Sequence, residues 1–311
     1  MMSGVKIAEN LIGQPDYITT AQELIDNEIT EIPWLWDRFI PKRGLTFVSG
    51  SSDTGKSTFL RQLSLAIVAG EVEHLGRDIS ATHRSVIYVS TEDDVLSLSP
   101  RIKREKDYFI SGIRYENLRF IFDNEDILRK LRAEIERQPA DCIILDAFGD
   151  FFDGDINSSS STRSFMNDYK AFSDEAGCAI VFLHHNRKAS ASGNPDKNDL
   201  LGSMAIEAKG RSVLMLSQSD SRSDRRLLRV VKGNYLTPEE KRITYDLSFE
   251  DGIFDIASTS VPYVSTSTRE ETRKLASEYK KKGKSIRDTT YLLNEQGYKV
   301  SKSSVGRMLK G

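Results

Sequence analysis

The sequence predicts a three-layer α/β fold built on a mostly parallel sheet, followed by a small all-α C-terminal domain. Three observations carry this expectation. Short apolar runs alternate with segments of helical periodicity from residue 45 onward, the pattern of strand–helix–strand crossovers. A glycine-bearing octapeptide, Gly50-Ser51-Ser52-Asp53-Thr54-Gly55-Lys56-Ser57, sits at the first strand-to-helix junction. Residues 266–311 hold 12 Lys/Arg and 5 Asp/Glu, a charge of +7, whereas the preceding residues carry −9.

The elements follow in order. Residues 1–29 are polar and mixed, with one short helix expected at 20–26. Residues 32–41 contain Pro33, Trp34, Trp36, Phe39 and Ile40 and are expected to pack on the body before the first strand. Residues 45–49 read as a strand and 55–69 as a helix, with Phe59, Leu60, Leu63, Ile67 and Val68 near helical spacing. A strand is expected at 85–90. Residues 95–109 read as a helix broken at Pro100, because proline lacks the amide donor and crowds the preceding turn. A strand at 118–122, a helix at 125–137, a buried strand at 142–145, a helix at 162–175 and a strand at 178–183 complete the alternation. A short helix at 200–208 precedes strands at 212–216, 227–231 and 243–247, which suggest an antiparallel extension. Residues 154–161 and 188–198 read as loops and 258–268 as a linker. Three short helices are expected at 269–282, 286–296 and 301–310. The implied domains are an N-terminal segment (1–29), the α/β body (30–260) and a basic helical domain (268–311).

Composition narrows the function. The net charge of −2 argues against a uniformly basic protein that coats DNA, while the basic tail suggests a polyanionic partner. No run of 18 apolar residues occurs, so no membrane span is expected. Residues 1–14 lack a basic start followed by an apolar stretch, so a secretory signal is not evident and a cytoplasmic setting is expected. Cys142 and Cys178 lie in apolar runs and read as buried free thiols. No CxxC or HExxH spacing points to zinc.

The octapeptide matches G-x-x-x-x-G-K-[ST], the P-loop. Its glycines let the backbone wrap phosphates, and successive amides point inward at a helix N-terminus. Residues 50–58, Gly50 through Ser57 with Thr58, are therefore expected to bind ATP. Lys56 reaches the β- and γ-phosphates, and the Ser57 hydroxyl holds Mg²⁺. Asp146 ends the run Cys142-Ile143-Ile144-Leu145. A carboxylate at the C-terminal end of a buried parallel strand sits where such sheets bind nucleotides and suits a second Mg²⁺ contact. Ala147 follows it rather than a glutamate, so the base for water is sought elsewhere. Glu92, after the strand at 85–90, is the candidate; the bland alternative is a helix cap. His184 and His185 end another strand, and either could contact the γ-phosphate or the water. Arg211 and Lys232 are single basic residues at strand ends, usually solvated. The tail has a helix–turn–helix look, with Ser301-Lys302-Ser303-Ser304 opening its last helix. It suits DNA or a partner protein.

Lys56, Glu92, Asp146, His184/His185 and Arg211, in this order, resemble the motif set of a RecA-fold ATPase. More narrowly, the chain from about Ile32 to Leu247 resembles the plasmid RepA-type hexameric helicases and their AAA_25-like relatives from mobile elements. Ile32-Pro33-Trp34-Leu35-Trp36, His184-His185-Asn186-Arg187-Lys188 and Gly202-Ser203 with Arg211 carry the likeness. The resemblance implies Glu92 as the catalytic glutamate, one of the two histidines as γ-phosphate sensor, and Arg211 as an arginine finger serving a neighbouring subunit. It also implies a homo-oligomer, a hexamer, acting on DNA. Lys232-Gly233-Asn234 is similar to the Lys-x-Arg of DnaB-type replicative helicases, but Asn234 replaces the arginine, which shifts the finger role to Arg211. The loop at 154–161 has no basic residue, a poor match for gripping DNA. Two rival functions are a DNA-binding regulator switched by ATP and a metabolic P-loop kinase.

Overall fold

The structure, a computed structural model, describes residues 19–109, 114–152, 154, 159–185, 208–219, 222–262, 266–296, 298, 305 and 309. The chain opens with α1 (Ala21–Asp26), started by a reciprocal cap between Thr20 and Glu23. A short hairpin follows, β1 (Trp34–Trp36) with β2 (Ile40–Pro41). It buries Leu35, Trp36, Phe39 and Ile40, as the aromatic content of 32–41 leads one to expect.

The main sheet has nine strands. In chain order these elements are β3 (Gly44–Gly50), α2 (Lys56–Ala69), the small hairpin β4 (Glu73–His74) and β5 (Arg77–Asp78), β6 (Val86–Ser90), α3 (Val95–Glu105), β7 (Leu118–Ile121), α4 (Ile127–Arg137), β8 (Cys142–Asp146), α5 (Phe148–Phe151), α6 (Ser159–Ala176), β9 (Ala179–His185), β10 (Ser212–Gln218), β11 (Arg225–Gly233), α7 (Pro238–Lys241), β12 (Ile243–Glu250) and β13 (Ile253–Pro262). The spatial order is β13-β12-β11-β10-β3-β9-β8-β6-β7. Strands β10, β3, β9, β8, β6 and β7 run parallel; β11, β12 and β13 add the antiparallel extension. Every residue of β3, β6 and β8 is buried, which suits strands covered on both faces.

Alternation along each strand sends side chains to two cores. One joins Val48, Tyr88, Ile144 and Leu183 to α2 and the β1–β2 hairpin. The other joins Phe47, Ile87, Leu145 and Phe182 to α4, α5 and α6. These are the two helical faces of a three-layer, RecA-like fold. Both cysteines are buried free thiols, and no helix among the described residues is long and apolar enough to cross a membrane.

Two anchors are invisible in the periodicity. The Asp141 carboxylate accepts the backbone amides of Thr82, His83 and Ser85 and so fixes the entry to β6. Arg61 and Glu105, both buried, form a bidentate pair between α2 and the end of α3.

Several boundaries differ from the sequence reading. Pro100 lies inside α3 without ending it; the carbonyl it leaves unpaired belongs to Leu96, an exposed residue that water can reach. The Ser/Thr-rich stretch at 258–268 is not a free linker. β13 runs through Pro262 and α8 (Thr266–Lys281) starts at its far end, because Thr and Val suit an edge strand as well as a loop. α8 and α9 (Ile286–Glu295) meet through Ala276 and Leu293, with Val305 completing a small buried cluster. The expected helices at 200–208 and 301–310, and the loop at 188–198, lie largely outside the described residues.

His74 gives the fold an acid-sensitive spot. Its ring lies against Trp36 and Phe109, and its Nε2 is buried without a partner among the described residues. Burial lowers its pKa to about 4 from 6.5. The unfolded chain therefore binds a proton that the folded chain refuses between those values, and stability falls as pH drops through that window. The loss approaches about 3 kcal/mol. Urea denaturation of wild type and His74→Gln at pH 7 and pH 4.5 checks this: the variant's stability is expected to fall less over that interval.

Candidate nucleotide-binding site

The P-loop leaves the C-terminal end of β3 at Gly50 and enters α2 at Lys56. Gly50 has no room for a side chain: a Cβ there would lie 2.2 Å from the Leu216 carbonyl oxygen. Gly55 caps α2 in a left-handed conformation (φ +89°), and a Cβ would press on Phe254 and Phe249 at 3.0 and 3.1 Å. Asp53 is also left-handed, at φ +62°. The loop's carbonyls are tied outward. Lys56 Nζ donates to the Ser51 oxygen at 2.8 Å, and Thr54 Oγ1 donates to it at 2.9 Å. Burial lowers the Lys56 pKa, against the opposing pull of Asp146, Glu92 and Asp53. A buried ammonium held on one neutral carbonyl is poised to exchange it for phosphate.

Asp146 ends β8 on the face that carries α2. Tyr88 Oη donates to its Oδ2 at 2.7 Å. Its Oδ1 is buried with no hydrogen-bond partner among the described residues. Burial raises the carboxyl pKa above the usual range, the Tyr88 and Ser57 hydroxyls pull it down, and Glu92 and Asp93 push it up again. An orphaned carboxylate oxygen influenced by the Ser57 hydroxyl is a donor set for a hard divalent cation. The residues present therefore fit Mg²⁺.

Glu92 and His185 meet at the same sheet edge, with His185 Nε2 3.7 Å from Glu92 Oε1. The two histidines part company here. His185 pairs in register with Gly50 of the P-loop strand, and strand alternation puts it on the α2 face. His184 is buried on the other face, its ring 5.3 Å from that of Phe148. Thr91 closes the edge: its amide and hydroxyl both reach the Asp146 carbonyl at 3.0 Å, and its hydroxyl also bonds the Asp150 carboxylate.

Arg211 is elsewhere. Its amide donates to the Leu45 carbonyl at 2.7 Å, at the start of β3. Five residues of extended strand separate Leu45 from Gly50, roughly 17 Å. The Arg211 guanidinium lies over the Tyr235 ring, 5.9 Å from its centroid, and Tyr235 packs edge-on against Trp34. Lys232 joins this far edge, with Nζ 2.5 Å from the Gly210 carbonyl.

Two contributors escape the sequence reading. Tyr88, in an apolar strand, reads as ordinary core. Arg226, at the start of β11, donates from Nε to the Thr54 carbonyl at 3.1 Å.

A protein-family model described as AAA domain (AAA_25) matches residues 14–191. The chain belongs to this AAA domain family. The matched span covers more than half of the chain and includes the P-loop, Glu92, Asp146 and both histidines. The AAA domain is thus a P-loop ATPase domain, and the assigned nucleotide is ATP. Among solved structures the AAA domain is similar to one titled as an ATPase domain, with a TM-score of 0.55 and 14% identity over 82% of this chain and 100% of that one. That likeness places the architecture in the RecA-like fold. No curated protein matches the sequence.

Proposed function

We propose that the chain is an oligomeric, ATP- and Mg²⁺-dependent DNA motor, a helicase or translocase serving replication or maintenance of a plasmid or other mobile element. One observation carries the oligomer. The phosphate-binding loop and its acidic residues occupy one edge of the sheet, and Arg211 with Lys232 occupies the opposite edge. A basic group roughly 17 Å from its own P-loop serves a nucleotide only in a neighbouring copy.

The residues then take these roles. Residues 50–58 cradle the phosphates, and Lys56 leaves the Ser51 carbonyl for the β/γ oxygens. Ser57 and Asp146 hold Mg²⁺, which neutralises phosphate charge when bound. Tyr88 keeps Asp146 oriented through Oδ2. Glu92 accepts the proton of the attacking water. His185, beside Glu92 on the α2 face, is the better placed histidine to respond to the γ-phosphate; His184 braces the strand from the opposite core. Arg211 from the neighbour stabilises the developing charge. The tail at 266–311, charged +7, supplies phosphate contacts to DNA.

The test is ATP turnover with and without single-stranded DNA, together with mass by light scattering in ATP–Mg²⁺. Strong stimulation and a hexamer-sized particle are the expected results, followed by unwinding of a forked duplex. A flat rate from a monomer or dimer would overturn the motor. The paired helices α8 and α9 closing on Val305 favour a second reading, a DNA-binding regulator switched by ATP. Site-specific duplex binding together with that flat rate would select it.

A further inference from the structure

The Arg226 guanidinium is 6% exposed. Its Nε donates to the Thr54 carbonyl at 3.1 Å, and its Nη1 donates to the Ser223 and Arg225 carbonyls at 2.7 and 3.0 Å. Its flat face rests on Phe249, 4.8 Å from the ring centroid. Phe249 stacks on Phe254, with centroids 4.4 Å apart, and these two rings wall in Gly55. Among the described residues no carboxylate lies within ion-pair distance of it.

This arrangement is unusual for a structural arginine. A buried cation normally has an anion beside it, because neutral carbonyls do not repay its lost hydration. Arg226 has three carbonyls and a ring, and one of those carbonyls belongs to the P-loop. Its neighbour Arg225 is paired with Asp224 and Asp246, as a surface arginine of this strand would be.

We propose that Arg226 is a positioning residue for nucleotide binding, clamping the P-loop open from behind through the Thr54 carbonyl and supplying a standing positive charge that the bound triphosphate offsets. The antiparallel extension then has a task beyond lengthening the sheet. β11 brings the clamp, and β12 and β13 bring the Phe249–Phe254 wall that fixes Gly55. With Thr54 held outward by Arg226 and Ser51 held outward by Lys56 and Thr54, the intervening amides face the ligand. The clamp also lies beyond residue 191, outside the span that the family model matches.

This inference rests on the P-loop assignment, and the experiment separates the two. Binding of ATP–Mg²⁺ is measured by calorimetry for wild type, Arg226→Gln and Arg226→Lys at low and moderate salt, beside melting curves without nucleotide. Arg226→Gln keeps a donor and removes the charge. It is expected to weaken ATP binding about tenfold, to flatten the salt dependence of affinity, and to place its kinetic effect on KM rather than kcat. Arg226→Lys is expected to recover most of the affinity, with ligand-free melting temperatures close to wild type in both. Wild-type affinity and salt dependence in Arg226→Gln would overturn the proposal. Equal losses in both variants, matched by equal falls in ligand-free melting temperature, would also overturn it by reducing Arg226 to packing. Failure of the wild-type chain to bind ATP would instead strike the P-loop assignment itself.

Discussion

Arg211→Ala is expected to lower ATP turnover by about 10³-fold while leaving ATP affinity unchanged. The split follows from position. Arg211 is bonded to Leu45 at the start of the P-loop strand and stacked on Tyr235, so the chain's own nucleotide is beyond its reach. Removing it leaves Lys56, Ser57 and Asp146 intact for binding and removes the charge that the reaction's transition state draws on. Mixing provides the decisive measurement. A copy lacking Arg211 still has a P-loop, and a copy carrying Lys56→Ala still has Arg211. In a random mixture of equal parts, about a quarter of the interfaces unite an intact loop with an intact arginine. Activity rising from near zero in either variant alone to a substantial fraction of wild type is the expected outcome; no recovery at any ratio would remove Arg211 from the reaction.

Lys56→Ala is the second large effect. Turnover should fall by about 10²–10³-fold, and ATP affinity should fall with it, because the phosphate charge loses its nearest ammonium. The ligand-free chain should behave differently. Lys56 is buried on a single carbonyl with its pKa lowered by burial, so its removal relieves a desolvation cost. A melting temperature equal to or above wild type without ATP, together with loss of the ATP-induced rise, is the expected pattern. Full turnover in this variant would mean that the phosphates bind elsewhere.

Much of this architecture can be read in residues. The apolar runs at Val86–Ser90 and Cys142–Asp146 are too short for helices and too continuous for half-exposed strands, which marks a parallel sheet. The P-loop pattern marks the phosphate end, and Asp146 and Glu92 fall at the same edge because both follow parallel strands. What escapes depends on register and on distant pairing. His184 and His185 are equivalent in a string; only the pairing of His185 with Gly50 and the packing of His184 on Phe148 tell them apart. Arg226 lies in Arg-Arg-Leu-Leu-Arg, where charges read as a solvated face, yet it is buried because the P-loop covers it. Asp141 reads as a loop residue until three amides from residues nearly sixty positions earlier converge on it. Strand β13 stays hidden because Ser and Thr mark loops as readily as edge strands.

The placing of Gly50 and Arg211 at opposite ends of parallel strands has a topological consequence. Copies stacked head to tail leave one reaction centre unfinished at the terminus of any open chain, so a dimer owns one working centre and a trimer two. Only closure into a loop makes centres equal in number to copies. Turnover per copy then measures closure directly: it climbs with the length of an open stack and steps to its ceiling at the moment the last copy meets the first.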